Sequence, residues 1–178
     1  TVRRKATAAV GMMGEVALLK GAVTPLLARL KDARPEVRAA AAESLGKIIA
    51  AAMTPGKIAA TATTLQLDGV AAEAVTQTLA TQSAQVLAAA LIGNQSGASR
   101  EISAALVRIG PGSIGPLLPG LKNPSSAVRL LTADTIAQIG GPGAVAPLAQ
   151  ALGDPSDAMV RRTAAEALRN QPAEALNK

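Results

Sequence analysis

A short apolar segment that recurs about every 30 residues constrains the fold of this chain more than any other feature of its sequence. The matching segments are PLLARL (25–30), VLAAAL (86–91), PLLPGL (116–121) and PLAQAL (147–152). The first two start 61 residues apart, which is two periods, and GKIAATATTLQL (56–67) fills the gap as a degenerate copy. A fixed period of this length is typical of repeat architectures.

Each of these segments is followed by a turn and then by a second helical pattern. The turns are rich in Pro, Gly, Asn, Asp and Ser, the residues that turn geometry favours, as in KDARPE (31–36) and GDPSDA (153–158). The second helices are predicted to start at Val2, Val37, Ala71, Ala98, Val128 and Val160. Counted from each of these residues, apolar side chains recur at offsets 0, 4, 8 and usually 11, which is one face of an α-helix.

The repeat predicts an all-α fold, an α-solenoid of stacked antiparallel helical hairpins forming one domain over residues 1–178. One hairpin is too small to bury its apolar stripe, whereas stacked neighbours bury it together. The chain has no Phe, Tyr or Trp and is rich in Ala, which suits closely stacked helices. Because it begins at Thr1 inside a helical pattern, we expect it to be part of a longer chain. The predicted units are a half repeat at 1–14 and repeats at about 21–50, 54–82, 84–110, 113–141 and 144–171.

The repeat unit resembles the HEAT repeat, in the short bacterial form called HEAT-like or PBS-lyase-type. It has a first helix with Pro near its start, an Asp or Asn turn, and then V-R-x-x-A-x-x-x-L-G-x-I-G. The resemblance is strongest at 21–50, 113–141 and 144–171 and weakest at 54–82 and 84–110. It implies a hydrogen-bonded ladder that joins turn residues to helix arginines along the stack. The matching positions are Asp32, Asn123 and Asp154 in the turns, and Arg3, Arg38, Arg129 and Arg161 on the second helices. In the two weak repeats, Ala72 and Ser99 replace the arginine.

Composition excludes most kinds of catalytic site. The chain has no His and no Cys, so an imidazole base, a Ser-His-Asp triad and a thiol nucleophile are all absent. The enzymes within the resembled family depend on His-Glu iron sites or on aromatic residues in a groove, and this chain has neither. We therefore expect a non-enzymatic protein without a cofactor or a bound metal.

The net charge of +6 is predicted to lie on one face. By the resemblance, the second helices line the concave side of the stack, and offsets 1, 2, 5, 6, 9 and 10 face solvent. These positions hold ten basic and four acidic residues, whereas the rest of the chain holds eight of each. Small residues at offset 5, such as Thr7, Ala42 and Ser103, predict an open groove floor. Outside the ladder, the predicted partner-binding residues are Arg4, Lys47, Arg100, Arg108, Arg162 and Arg169.

The predicted function is that of a protein–protein interaction scaffold whose basic concave face binds a partner with an acidic segment or surface. One alternative is binding of a nucleic-acid backbone through the same face. Another, which follows from the resemblance alone, is an accessory subunit of a chromophore lyase-type complex. A third interpretation assigns the surplus arginines to stacking and solubility only. We find no signal peptide and no apolar run long enough to span a bilayer, so we expect a cytoplasmic protein.

Overall fold

The computed structural model describes residues 2–93 and 97–171, and in these residues the chain is helical with no strand. The prediction of an all-α fold is therefore confirmed. Two short 3-10 turns, Pro111–Ser113 and Leu118–Lys122, flank α8. The α-helices are α1 Val2–Gly11, α2 Glu15–Leu19, α3 Val23–Arg29, α4 Pro35–Ala52, α5 Lys57–Thr64, α6 Gly69–Ile92, α7 Ser99–Ile109, α8 Ile114–Leu117, α9 Ser126–Ile139, α10 Pro142–Ala151 and α11 Ala158–Arg169.

Five helices form a continuous layer, which we name the second-helix row. In this row α1 packs on α4, α4 on α7, α7 on α9, and α9 on α11. Behind the row lies a layer of first helices, in which α3 packs on α4, α6 on α7, and α10 on α11. Leu and Ile side chains between the two layers, including Leu45, Leu87, Leu106, Ile136 and Leu148, are fully buried. None of the helices described here is both long and apolar enough to cross a lipid bilayer.

Small residues let the helices of the row approach one another closely. A Cβ atom built on Gly46 of α4 would lie 2.8 Å from the Cα of Ala105 in α7, closer than carbon atoms pack in proteins. Between α7 and α9, the hydroxyl oxygens of Ser103 and Thr135 lie 2.8 Å apart in a buried contact. The scarcity of bulky side chains is therefore matched to the narrow spacing of this row.

The expectation that the offset-5 residues form an open groove floor is wrong for most of the row. Thr7, Ala42, Ser103 and Ala133 are buried where adjacent second helices meet, and Ala165 at the end of the row is exposed. The rotation of each helix places offset 5 toward the next helix instead of toward solvent. The small side chains at this offset therefore serve helix packing.

The structure also differs from the predicted boundary between the repeats at 54–82 and 84–110. That boundary falls inside α6, a single helix of 24 residues. After Gly69, the α6 sequence has no Gly or Pro to end the helix, and Ala and Leu favour its continuation. Because α4 contacts α7 directly, no second helix from 54–82 enters the row. We name α5 together with residues 69–82 of α6 the inserted hairpin.

Candidate functional site

The turn of the last hairpin is tied to the preceding hairpin by a buried ion pair. Arg129 on α9 donates from Nε to Oδ2 of Asp154 at 2.6 Å and from Nη2 to Oδ1 at 3.2 Å. The side chains are 9% and 3% exposed, respectively. Arg129 also donates from Nη1 to the carbonyl oxygens of Asn123 and Pro124 in its own turn. One guanidinium therefore joins two consecutive turns.

The charge of Asp154 is stabilised on several sides. The hydrogen bonds from Arg129 hold the pKa of this carboxyl well below its usual range, against the opposing effect of burial. Backbone N–H groups of Ser156 and Asp157 also donate to Oδ1, at 3.1 and 2.8 Å. The carboxylate is thus fully engaged within the fold and is a structural group.

The other arginines implied by the resemblance make part of the same pattern. Arg38 donates from Nη1 to the carbonyl oxygen of Asp32, and Arg161 donates likewise to the carbonyl oxygen of Asp154, so each braces the turn of its own hairpin. Arg3 reaches forward to the Asp32 carboxylate at 3.6 Å, but its side chain is 64% exposed. In α7 the position corresponding to these arginines is Ser99. Arg3 and Arg129 each contact the Asp of the turn before the next helix of the row, whereas Ser99 has no guanidinium group with which α7 could do the same.

The solvent-facing side of the second-helix row is narrower than the sequence predicted. It is formed mainly by the residues at offsets 2, 6 and 10 of each second helix, and we name these residues the second-helix face. The predicted partner-binding residues at these offsets are exposed, and so is Arg169 at the end of α11. The residues of the face are Arg4 and Ala8 on α1 with Met12 just after it, Ala39, Glu43 and Lys47 on α4, Arg100, Ala104 and Arg108 on α7, Leu130, Asp134 and Gln138 on α9, and Arg162 and Glu166 on α11 with Asn170 just after it.

A groove of about 640 Å³ crosses three helices of the row near the amino-terminal ends of α4 and α7. The methyl groups of Ala8, Ala39 and Ala40 make part of its lining. Its charged groups are Arg4 and Lys5 on α1, and Glu36, Glu43 and Glu101 on α4 and α7. The groove thus has a cationic end and an anionic side.

Sequence reasoning missed three of these charged residues. Lys5 and Glu101 lie at offset 3 and Glu36 lies one residue before its helix frame begins, so none was counted on the solvent-facing side. The starts of α4 and α7 lie side by side, since a Cβ built on Gly97 would be 2.6 Å from the Cβ of Pro35, and this brings first-turn residues into the groove. Position in the first turn was the one signal in the sequence that marked Glu36 and Glu101.

Two of the predicted partner-binding residues pair with acidic residues on their own helices. Lys47 lies 2.7 Å from Glu43, and Arg162 lies 2.7 Å from Glu166. The hydrogen bond in each pair lowers the pKa of the glutamate. Such exposed pairs contribute little to stability and separate readily.

Other cations of the face have no such partner. Within residues 2–93 and 97–171, no carboxylate lies within ion-pair distance of Arg4, Arg100 or Arg108. Arg108 does contribute to lowering the pKa of Glu43, so the two charges share one neighbourhood. Among the basic residues of the second-helix face, these three have the guanidinium groups most available to an external anion.

Comparison with known protein families gives two matches. The family model described as HEAT repeats matches residues 72–169, which is more than half of the chain. The model described as the HEAT repeat matches residues 22–52. No curated protein matches this sequence. Both family matches agree with the resemblance that the repeat motif predicted.

Proposed function

This chain belongs to the HEAT repeat family, and on that premise we propose that it is a non-enzymatic scaffold that binds a partner protein along its second-helix face. HEAT repeats commonly serve as protein-interaction scaffolds. The observation that carries the proposal is the groove across α1, α4 and α7, which is open and lined by alanines and charged side chains. An open groove that spans three helices can accept a helix or an extended peptide.

The exposed cations favour a partner with acidic residues. We propose that Arg4, Arg100 and Arg108 contact carboxylates of the partner, since each is exposed and has no ion pair within the described residues. Lys47 and Arg162 would also contact carboxylates of the partner once their ion pairs with Glu43 and Glu166 separate. Arg169 would extend this contact surface at the end of the row. The glutamates of the groove repel a uniformly acidic segment, so the acidic residues of the partner should be spaced to avoid them.

The experiment that tests this proposal uses charge reversal on α7. We expect the double variant Arg100→Glu, Arg108→Glu to retain less partner than the wild type in affinity capture from native extract, with cross-linked peptides mapped by mass spectrometry. The matched control is Lys20→Glu, Lys31→Glu, which makes the same change in charge at exposed positions outside the face. Equal capture by both variants, or cross-links confined to the first-helix layer, would contradict the proposal.

Binding of a nucleic-acid backbone is the second candidate, favoured by the same unpaired arginines. It requires affinity that falls steeply with salt, because phosphate contacts release counterions. The carboxylates of Glu36, Glu43 and Glu101 oppose it. Titration with duplex and single-stranded DNA at low salt separates the two candidates. The chromophore-lyase alternative has no support in the geometry described above.

A further inference from the structure

The inserted hairpin forms a second groove, at the opposite end of α4 from the first. This groove has a volume of about 580 Å³ and lies between the carboxyl-terminal end of α4, the turn that follows it, and the first turns of α6. Its lining includes Met53, Ile58, Val70, Glu73 and Ala74. The nearest α4 residues of the two linings, Glu43 and Ala52, are about 14 Å apart along the helix, given the helical rise per residue, so the two surfaces are separate.

Large apolar side chains are exposed in and beside this groove. Val70 is 81% exposed and Met53 is 37% exposed, and both line the groove. Val75, one residue beyond the lining residue Ala74, is 50% exposed. Burial of such side chains by a ligand removes apolar surface from water and is favourable.

The electrostatics of the groove are negative, although the chain as a whole is positive. Glu73 is the only charged residue among the lining residues and the only one in the 24 residues of α6. The carboxyl-terminal end of α4 carries the negative end of its helix dipole, with no basic residue in its last turn. Asp68 caps the start of α6 by accepting from the N–H groups of Val70 and Ala71, and its charge offsets the positive end of the α6 dipole beside the groove. The adjacent Lys57 is engaged by Glu15 at 3.6 Å.

We propose that this groove is a second docking surface, and that its occupant is a basic amphipathic peptide segment of a partner protein. Apolar side chains of the segment pack on Met53 and Val70, while a Lys or Arg beside them pairs with Glu73. Charge complementarity supports this choice of partner, since an acidic segment is repelled by Glu73 and by the end of α4. The proposal is independent of binding on the second-helix face.

The test measures binding of two labelled peptides to the full chain by fluorescence anisotropy at low salt. One peptide repeats a unit of two leucines followed by two lysines, and the other has glutamate in place of each lysine. Because the net charge of the chain is +6, non-specific attraction favours the glutamate peptide. Preference for the lysine peptide therefore reports local recognition.

We expect the lysine peptide to bind the wild type, and we expect Glu73→Lys and Val70→Ser each to weaken this binding by roughly threefold to tenfold. The control Glu101→Lys makes the same change in charge in the first groove and should leave the binding unchanged. Ala74→Lys, at another exposed lining position, obstructs the groove by a second route, and circular dichroism verifies that each variant is helical. No binding of the lysine peptide, or equal losses in the groove variants and in Glu101→Lys, would overturn the proposal.

Discussion

Arg129 on α9 and Asp154 in the turn before α11 form a two-hydrogen-bond ion pair, through Nε at 2.6 Å and Nη2 at 3.2 Å. Both side chains are nearly buried, and the same guanidinium also braces the turn of its own hairpin. The comparable contact between Arg3 and Asp32 is longer and largely exposed. The last two hairpins are thus held together more tightly at this edge than α1 and the following hairpin.

Replacement of Asp154 by alanine should be strongly destabilising. It leaves the guanidinium of Arg129 buried without its carboxylate, and it also removes the acceptor of two backbone N–H groups. We expect the melting temperature to fall by roughly 6–12 °C. The matched control, Asp32→Ala, should cause a smaller fall, because Arg3 and Arg29 beside it are at least half exposed and remain solvated. Equal shifts in thermal denaturation of the two variants would show that the buried pair has no special role.

Stability should also depend on pH through Asp154. Its pKa is lower in the folded state than in the unfolded state, where an aspartate has a pKa of about 3.9. Its contribution to stability is therefore complete above about pH 5 and is lost as the pH falls below about 4 toward the folded pKa. In urea denaturation, the difference in stability between the wild type and Asp154→Asn should narrow as the pH is lowered through this range. A difference that stays constant would contradict the assignment.

Gly46 should tolerate no side chain, despite its position inside a helix. Alanine there would normally strengthen α4, but its Cβ would lie 2.8 Å from the Cα of Ala105 and force α4 and α7 apart. We expect Gly46→Ala to lower the free energy of unfolding by about 1–3 kcal/mol. Gly115→Ala is the control, since its Cβ would meet no atom within 4 Å, and it should be neutral or stabilising by up to about 1 kcal/mol. Chemical denaturation measures both changes.

Proline at position 82 distinguishes the continuous α6 from a break at the predicted boundary between the repeats at 54–82 and 84–110. Within a helix, Gln82→Pro removes a backbone hydrogen bond and clashes with the preceding turn, which costs about 3 kcal/mol. In a turn between two repeats, the same change would be tolerated. Gln82 is exposed, so Gln82→Ala serves as the control for loss of the side chain. If urea denaturation shows that the proline variant is as stable as the wild type, the result would favour a break at the predicted repeat boundary over a continuous α6.

Much of the repeat architecture was predictable because it depends on sequence patterns that are local to each repeat. The apolar offsets of the second helices correctly marked Val37, Ala41 and Leu45 as core, and all three are buried. These positions recur with the period of a helix, so they can be recognised without knowledge of the neighbours. The weak match at 54–82 also marked the part of the chain where the regular stack is interrupted.

The charge pattern of the candidate groove was only partly predictable. Arg4 and Glu43 were assigned to the solvent-facing side from their offsets, and both line the groove. Glu36 and Glu101 were not assigned to it, because their place depends on how the starts of α4 and α7 pack beside each other. Helix packing is set by the fit of side chains between two helices, which the pattern of a single helix does not contain.

Three features follow from the amino-acid sequence without the structure: the helical hairpins, the residues of each second helix that face the core, and the position of most of the polar turns. Those features follow from periodicity and turn chemistry within about 30 residues. The tertiary structure alone decided that α7 follows α4 in the second-helix row and that the inserted hairpin stays outside it. It also decided that the offset-5 residues are buried between helices. These outcomes depend on contacts between distant segments, such as the close approach of Gly46 to Ala105.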